Sequence, residues 1–146
     1  MSRDELLEFI RGERYAVQAS VSALGSPQAA IVGIVVSDRF ELFFDTLSTS
    51  RKAINLRQNP AVAFVIGPTG AGADRTVQLE GVVDEPAGPD LDRLLELYFA
   101  RFTDGRARQS SGGVLYLRVK PTWIRFSNFS VDPPDIVEFG AKAIGF

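Results

Sequence analysis

Hydroxyl and cationic side chains are concentrated in one short segment, which runs from Thr46 to Lys52 and reads TLSTSRK. If Thr49 or Ser50 caps a helix that begins here, Arg51 and Lys52 fall in its first turn. The start of a helix already carries a partial positive charge, so basic residues are disfavoured there unless an anion compensates them. Backbone N–H groups, hydroxyls, a guanidinium and an ammonium are together the groups that bind a phosphate dianion. The segment therefore predicts a phosphate site.

A capped helix that carries two solvated cations also fits these residues, and the segment by itself leaves both interpretations open. A second candidate pair is Trp123 and Arg125, which share one face of a predicted strand because side chains alternate with period two. An aromatic ring beside an arginine suits stacking on a planar ligand or on a partner surface. Packing of Trp123 in the core is the alternative.

The composition removes several classes of chemistry. The 146 residues include no cysteine and no histidine, which excludes disulfides, thiolate nucleophiles and catalytic triads built on histidine. Carboxylate-only metal sites and lysine chemistry remain possible. Glu80 and Asp84 share one strand face, but solvated or ion-paired roles are favoured there and no metal is predicted. A bound organic cofactor would supply chemistry that these side chains lack. The net charge of -2 gives no overall basic field for nucleic acid. No apolar run approaches ~20 residues, so we expect a cytoplasmic protein with no membrane segment.

The elements that must position these groups follow from apolar periodicity and from turn residues. Ser2 and Glu5 have capping-box spacing at the start of a first helix. Pro89 opens an amphipathic helix with its apolar stripe at helical spacing, and 67–74 reads as a hairpin connection. Segment 103–113 is predicted to be a loop. The pattern predicts strands over 14–22, 28–36, 40–45, 61–66, 76–84, 114–120 and 122–129, and the phosphate-site helix over 50–58.

Six or seven strands with regular turns predict a small barrel within one domain, 1–146. Gly81 inside a strand suggests a bulge, and the apolar tail after Pro134 must pack on this barrel or on a second subunit.

The segment FDTLSTSRKAINLRQNPAVAF resembles the flavin-phosphate motif of the pyridoxamine 5'-phosphate oxidase-like split-barrel proteins. In that family a strand that ends in F-x-T is followed by S-R-K, then by a helix that ends in N-P, then by another strand. The segments TVQLEGVVDEP and VLYLRVKPTWIRFSNF resemble the strands that follow. The resemblance extends over roughly residues 10–130.

The resemblance implies a mainly β fold, a six-stranded antiparallel split barrel, which is usually a homodimer with FMN at the subunit interface. Ser50, Arg51 and Lys52 would then hold the FMN phosphate, with Thr46 beside them. Gln78 is a further candidate for contact with the flavin, and Trp123 and Arg125 would reach the flavin of the other subunit. The Arg- and His-containing C-terminal signature with which pyridoxamine phosphate oxidases bind substrate is missing, which argues against pyridoxal phosphate synthesis.

We therefore expect an FMN-binding flavoprotein, an oxidoreductase that acts on a small-molecule substrate and has no assignable catalytic acid or base. Two alternatives remain open. One is a protein of the same fold that binds a flavin, a deazaflavin or haem without turnover. The other is a barrel that has lost its cofactor and acts through its dimer surface.

Overall fold

A computed structural model gives the fold, and it describes residues 1–68 and 74–145. The predicted hairpin connection at 67–74 therefore lies largely outside the described residues. Strands are the commonest element in the described part of the chain, as predicted, and the helices are fewer and shorter in total. In chain order the elements are α1 (Arg3–Arg11), β1 (Tyr15–Val21), β2 (Pro27–Gly33), β3 (Val35–Val36), β4 (Leu42–Leu47), α2 (Arg51–Gln58), β5 (Ala61–Ile66), β6 (Arg75–Asp84), α3 (Gly88–Arg101), α4 (Gly105–Ser111), β7 (Val114–Asn128), β8 (Asp135–Gly140) and α5 (Ala141–Ile144).

All strands belong to one antiparallel sheet that curls towards closure. The order across the sheet is β2-β1-β5-β6-β7-β4-β3, and β8 pairs with β7. β2 lies at one end of the sheet, where it pairs with β1, and β3 lies at the other end, where it pairs with β4. The single residue Ile34 connects these two strands, so the chain crosses there from one end of the sheet to the other. The predicted strand 28–36 is thus two strands that join the ends of the sheet. This arrangement confirms the mainly β split barrel, with the two-residue strand β3 and the six-residue strand β8 beyond the six expected.

Gly33 permits the close packing at this corner. A Cβ atom on Gly33 would lie 2.6 Å from Cζ of Phe102, closer than carbon atoms approach without displacement. The Phe102 ring is buried and packs against Tyr98, with ring centroids 4.8 Å apart. The absence of a side chain at Gly33 therefore lets the end of α3 lie directly on the corner of the sheet.

Two hydrophobic clusters hold the fold together. The larger one fills the barrel with the inward side chains of the strands and with Leu6, Leu7 and Ile10 of α1. The smaller one packs the predicted apolar stripe of α3 against the outside of the sheet, where Leu94 and Tyr98 meet Phe43. The amphipathic pattern of α3 is therefore core, as its spacing indicates.

The prediction of two strands separated by Pro121 is wrong, because β7 continues across this proline. Gly81 pairs with Pro121 and Glu80 pairs with Trp123, so the residue between them, Thr122, has no opposite partner. A bulge of this kind leaves one residue outside the ladder, and it tolerates a residue that has no N–H to donate. The bulge suggested by Gly81 is confirmed.

The prediction of a loop over 103–113 is also wrong, since α4 forms there. Its sequence has no apolar periodicity, and Gly105 is its one buried residue. Arg108 ties α4 to the sheet through two hydrogen bonds to Asp45 Oδ2, at 3.1 and 3.0 Å. The helix is thus fixed by tertiary ion pairs that its local sequence does not display.

The tail packs on its own barrel, which was one of the two alternatives. Phe139 in β8 and Ile144 in α5 are buried in the larger cluster, while Ile136 remains 48% exposed. Phe146 lies outside the described residues. No helix in the described part of the chain has the length and apolar character needed to cross a membrane.

Candidate functional site

The start of α2 is fixed by two hydroxyls. Ser50 is the N-cap, and its Oγ accepts a hydrogen bond from the Ala53 backbone N–H at 3.1 Å. The hydroxyls of Thr46 and Ser50 lie 2.8 Å apart, within hydrogen-bonding distance. Thr46 is buried at the end of β4, so it connects the cap to the sheet. These contacts set the direction of the first turn of α2.

Arg51 and Lys52 occupy this first turn, and no acidic residue shares it. The Arg51 side chain is exposed and Lys52 is half-buried. Nε of Arg51 donates to Oε1 of Gln28 at 3.2 Å, which orients the guanidinium along β2. A guanidinium has five N–H donors, so its two terminal nitrogens keep four for another acceptor.

A cavity of about 210 Å³ lies between this turn and the inner side of β1 and β2. It contains amides, a hydroxyl, two cations and small side chains, and none of its described lining residues is acidic. The lining residues are Gln18, Ser20, Gln28, Ala29, Ala30, Arg51 and Lys52.

Three polar side chains connect α2 to the two strands beneath this cavity. Asn55 is buried on the inward side of α2, and its Nδ2 donates to Oε1 of Gln28 at 2.8 Å and to Oγ of Ser20 at 3.1 Å. Because Oε1 of Gln28 already accepts from Asn55 and Arg51, the free end of the Gln28 amide is its NH2 group. The network therefore leaves hydrogen-bond donors for the cavity.

Gln18 also lines the cavity, but its side-chain nitrogen is buried away from it. Its side chain is 1% exposed, and its Nε2 is buried without a hydrogen-bond partner in the described chain. A molecule in the cavity therefore does not reach this nitrogen, and the donors that face the cavity belong to Arg51, Lys52 and Gln28. The cavity is thus rich in donors, which suits an anion.

Gln78, Trp123 and Arg125 lie on the opposite, outward face of the sheet. Gln78 in β6 is directly opposite Arg125 in β7. Nε of Arg125 donates to Oε1 of Glu138 at 2.9 Å, and Nε1 of Trp123 donates to Oε2 of the same residue at 3.3 Å. These two hydrogen bonds, that of Arg125 first, lower the pKa of Glu138.

Within one chain the structure therefore brings together Thr46, Ser50, Arg51 and Lys52, but it does not bring Gln78, Trp123 and Arg125 to them.

The family can be assigned from the sequence match. The model of the pyridoxamine 5'-phosphate oxidase family matches residues 2–128, which is most of the chain. The chain belongs to this family. A search of curated proteins finds no match to the sequence.

Solved structures of the same fold include proteins named for different ligands. A haem-binding protein from Mycobacterium smegmatis superposes with a TM-score of 0.86 at 15% identity, covering 99% of this chain and 60% of that one. The haem storage protein of Vibrio cholerae gives 0.72 at 18% identity, with coverage of 96% and 95%. A pyridoxamine 5'-phosphate oxidase-related FMN-binding protein from Nostoc punctiforme gives 0.67 at 15% identity, with coverage of 94% and 93%. At these identities the likeness shows the fold alone, and this chain spans three fifths of the mycobacterial protein.

The sequence analysis predicted the cavity residues that are contiguous in sequence, Arg51 and Lys52, and did not predict the polar residues that distant segments bring beside them. Gln18, Gln28 and Asn55 were not among the predicted site residues. The sequence did contain one indication of Asn55, because a polar residue on the inward side of an amphipathic helix requires a hydrogen-bond partner. Gln18 carried no such signal, because the alternation of β1 places it on the polar side of the strand, whereas in the structure this side is buried and Val17 is 38% exposed.

Proposed function

We propose that this chain is a cytoplasmic, homodimeric FMN-binding protein that acts as an FMN-dependent oxidoreductase on a small-molecule substrate. The observation that supports the proposal is the donor-lined cavity at the start of α2, where Arg51 and Lys52 carry the positive charge. Helix N-termini with guanidinium and ammonium groups beside them favour phosphate. When bound, FMN would supply hydride or electron transfer, while the chain supplies anchorage and orientation.

The size of the cavity assigns it to one end of the ligand. Pockets that enclose a whole drug-sized ligand measure about 300–1,000 Å³, whereas this one measures about 210 Å³. It accommodates a phosphate head with the start of its ribityl chain. The isoalloxazine ring would then lie outside the cavity and would need a second surface to cover it.

The outward face of the sheet supports a dimer that provides this surface. Ile31, Val17 and Val65 form one row across β2, β1 and β5, and their side chains are 73%, 38% and 50% exposed. The row continues in register to Gln78 and Arg125. Contiguous exposed apolar side chains rimmed by polar ones are typical of protein interfaces. A two-fold contact through this outer-face row would bury the apolar residues of both copies.

A shared site also explains the separation of the predicted residues. In one chain the cations of α2 and the pair Trp123 and Arg125 lie on opposite faces of the sheet, so they do not meet. A second copy packed on the outer-face row would carry its own Trp123 and Arg125 towards the ring. Arg125 lies over Trp123, 5.5 Å from the ring centroid, and this stacked pair suits contact with a flat ligand.

Haem is the second candidate, because two of the structural neighbours are named for it. Haem iron in proteins is held by His, Cys, Met or Tyr. This sequence has no His and no Cys, and its one Met is Met1. Haem would therefore depend on one of three tyrosines, of which Tyr98 is buried and Tyr15 is 55% exposed. The cavity donors favour FMN, or a deazaflavin with a phosphate, over haem.

The visible spectrum of the purified protein, recorded before and after addition of FMN, tests the proposal. Flavin absorption that stays with the protein through gel filtration is the expected result, and riboflavin should bind much more weakly because it lacks the phosphate. A Soret band after addition of haem, without retention of FMN, would support the second candidate. Equal affinity for riboflavin and FMN would refute the phosphate assignment. Oxidation of NADH, NADPH and pyridoxamine phosphate, with and without FMN, tests turnover.

A further inference from the structure

A second cavity lies beside α3, where the end of α1 and the strand β3 meet that helix. Its volume of about 470 Å³ falls within the range of pockets that hold small organic ligands. A neighbouring cavity of about 500 Å³ continues it, and together they form one groove, which we call the α3 groove. The residues that line both parts are Arg11, Val36, Leu97 and Ala100. None of the described residues of this groove lines the cavity at the start of α2.

The floor of the α3 groove is apolar. The side chains that form it are Val35 and Val36 of β3 with Leu97 and Ala100 of α3. Leu97 and Ala100 are both exposed, and they share one face of the helix because they are three residues apart. An aliphatic chain that covered this face would take it out of water, which favours binding. The floor therefore suits the hydrocarbon part of a ligand.

Two arginines that line the same cavity carry charges that no carboxylate of the described chain neutralises. Nε of Arg14 donates to the hydroxyl of Tyr15 at 3.3 Å, and the two terminal nitrogens of Arg14 make no hydrogen bond within the described residues. Arg101 donates there only to backbone carbonyl oxygens, which ties α3 to the α1–β1 connection but leaves its charge uncompensated. Neither guanidinium has a carboxylate oxygen within 4.0 Å in this part of the chain.

The α3 groove as a whole has more positive than negative charge. Its other arginines are Arg11 and Arg93, which pair with carboxylates, and Arg39, for which the described residues provide no such pair. Its acidic residues are Asp38, which Arg11 binds, and Glu96. Like charges that gather beside an apolar surface repel one another and destabilise the fold unless an anion compensates them. An anionic ligand would supply this compensation.

We propose that the α3 groove is a second ligand site, which binds an amphipathic anion with a carboxylate or phosphate head and one aliphatic chain. The head would lie at Arg14 and Arg101, in the part of the groove whose described lining includes no acidic residue. The terminal nitrogens of Arg14 provide the two parallel N–H donors that such a head accepts. The chain would cover Leu97 and Ala100. The site needs no flavin, so this inference does not rest on the proposed function.

Decanoate, used below the concentration at which it forms micelles, is a probe of this chemistry. We expect calorimetric titration to show binding of decanoate to the wild type. Acetate lacks the chain and decyltrimethylammonium has the opposite charge, so both should bind more weakly by roughly tenfold or more. Arg14→Ala should weaken decanoate binding roughly tenfold, because one charge-assisted contact at an exposed position is lost. Leu97→Asp should weaken it at least as much, since it places a negative charge on the floor.

The same substitutions outside the groove are the matched controls. Arg57 lies at the end of α2 and Leu24 in the β1–β2 turn, both exposed, so Arg57→Ala and Leu24→Asp should bind decanoate as the wild type does. Arg51→Ala should also bind it unchanged, because Arg51 lines the other cavity. Equal binding of decanoate and decyltrimethylammonium, or a loss in Arg51→Ala with none in Arg14→Ala, would overturn the proposal.

Two further measurements complete the test. If Leu97→Asp does not fold, the backbone NMR signals of Leu97 and Ala100 in the wild type should shift with decanoate and not with decyltrimethylammonium; an equal response would overturn the proposal. Sedimentation with phosphatidylglycerol vesicles distinguishes the sources of the anion. Vesicle binding that Arg14→Ala weakens would assign the groove to a lipid, whereas binding of free decanoate alone would assign it to a soluble amphiphile. If the wild type binds decanoate through Arg14 but does not bind FMN, the proposed function fails and this inference stands.

Discussion

Replacement of Arg51 by alanine should weaken FMN binding by roughly tenfold to a hundredfold. Arg51 lies in the first turn of α2, and one of its five N–H groups is engaged with Gln28. The four remaining donors permit a bidentate contact with phosphate. Hydrogen bonds to charged groups contribute about 1.5–3 kcal/mol each. The Arg51 side chain is exposed, so solvent screens its charge, and we expect its two hydrogen bonds to phosphate together to contribute about as much as one such bond. This contribution corresponds to a factor of roughly ten to a hundred in Kd.

Quenching of flavin fluorescence during titration measures this effect for the wild type and for three variants. Arg51→Lys keeps the charge and loses the bidentate geometry, so its affinity should lie between those of the wild type and Arg51→Ala. Arg57→Ala is the matched control, because Arg57 lies at the other end of α2 and pairs with Glu85 at 3.0 Å. The difference between wild type and Arg51→Ala should shrink as salt increases. Unchanged affinity in Arg51→Ala, or an equal loss in Arg57→Ala, would refute the assignment of the phosphate to this turn.

Three further predictions concern stability and assembly. Gly33→Ala should lower the melting temperature in thermal denaturation by about 3–10 °C, because overpacking costs about 1–3 kcal/mol. Adding Phe102→Leu should recover part of this loss. If the two substitutions lowered the melting temperature by the sum of their separate effects, the contact would be contradicted. Burial raises the pKa of Glu41, but hydrogen bonds from its arginine and serine partners lower it more. The free energy of unfolding should therefore fall as the pH drops through the acidic range in which this carboxylate becomes protonated. Glu41→Gln should be less stable than the wild type at neutral pH and should approach it at acidic pH. If urea unfolding showed the same difference in stability between the two proteins at every pH, the reasoning would be contradicted. Ile31→Asp should halve the mass measured by light scattering. Leu24→Asp should not, because Leu24 lies in the β1–β2 turn, where it is 94% exposed against 73% for Ile31. A wild-type monomer that binds FMN tightly would refute the shared site.

The sequence by itself determined the part of the candidate site that depends on local interactions, which is the cap and first turn of α2. A serine cap, two cations in the next turn and an Asn-Pro stop all act within about ten residues, so their arrangement is visible without a fold. The same holds for the amphipathic stripe of α3, which depends on helical periodicity. For this reason the phosphate interpretation and the barrel class both followed from the chain.

Tertiary structure decided whatever depends on two distant segments meeting. The inward side chains of β1 and β2 meet α2 because the sheet curls, which places Gln18, Ser20 and Gln28 around one cavity and lets Asn55 bind two of them. The continuation of β7 through Pro121 depends on a bulge opposite β6, and α4 depends on the ion pair of Arg108 with Asp45. In each case a non-local contact outweighs a weak local preference, so the local sequence carries little signal of it.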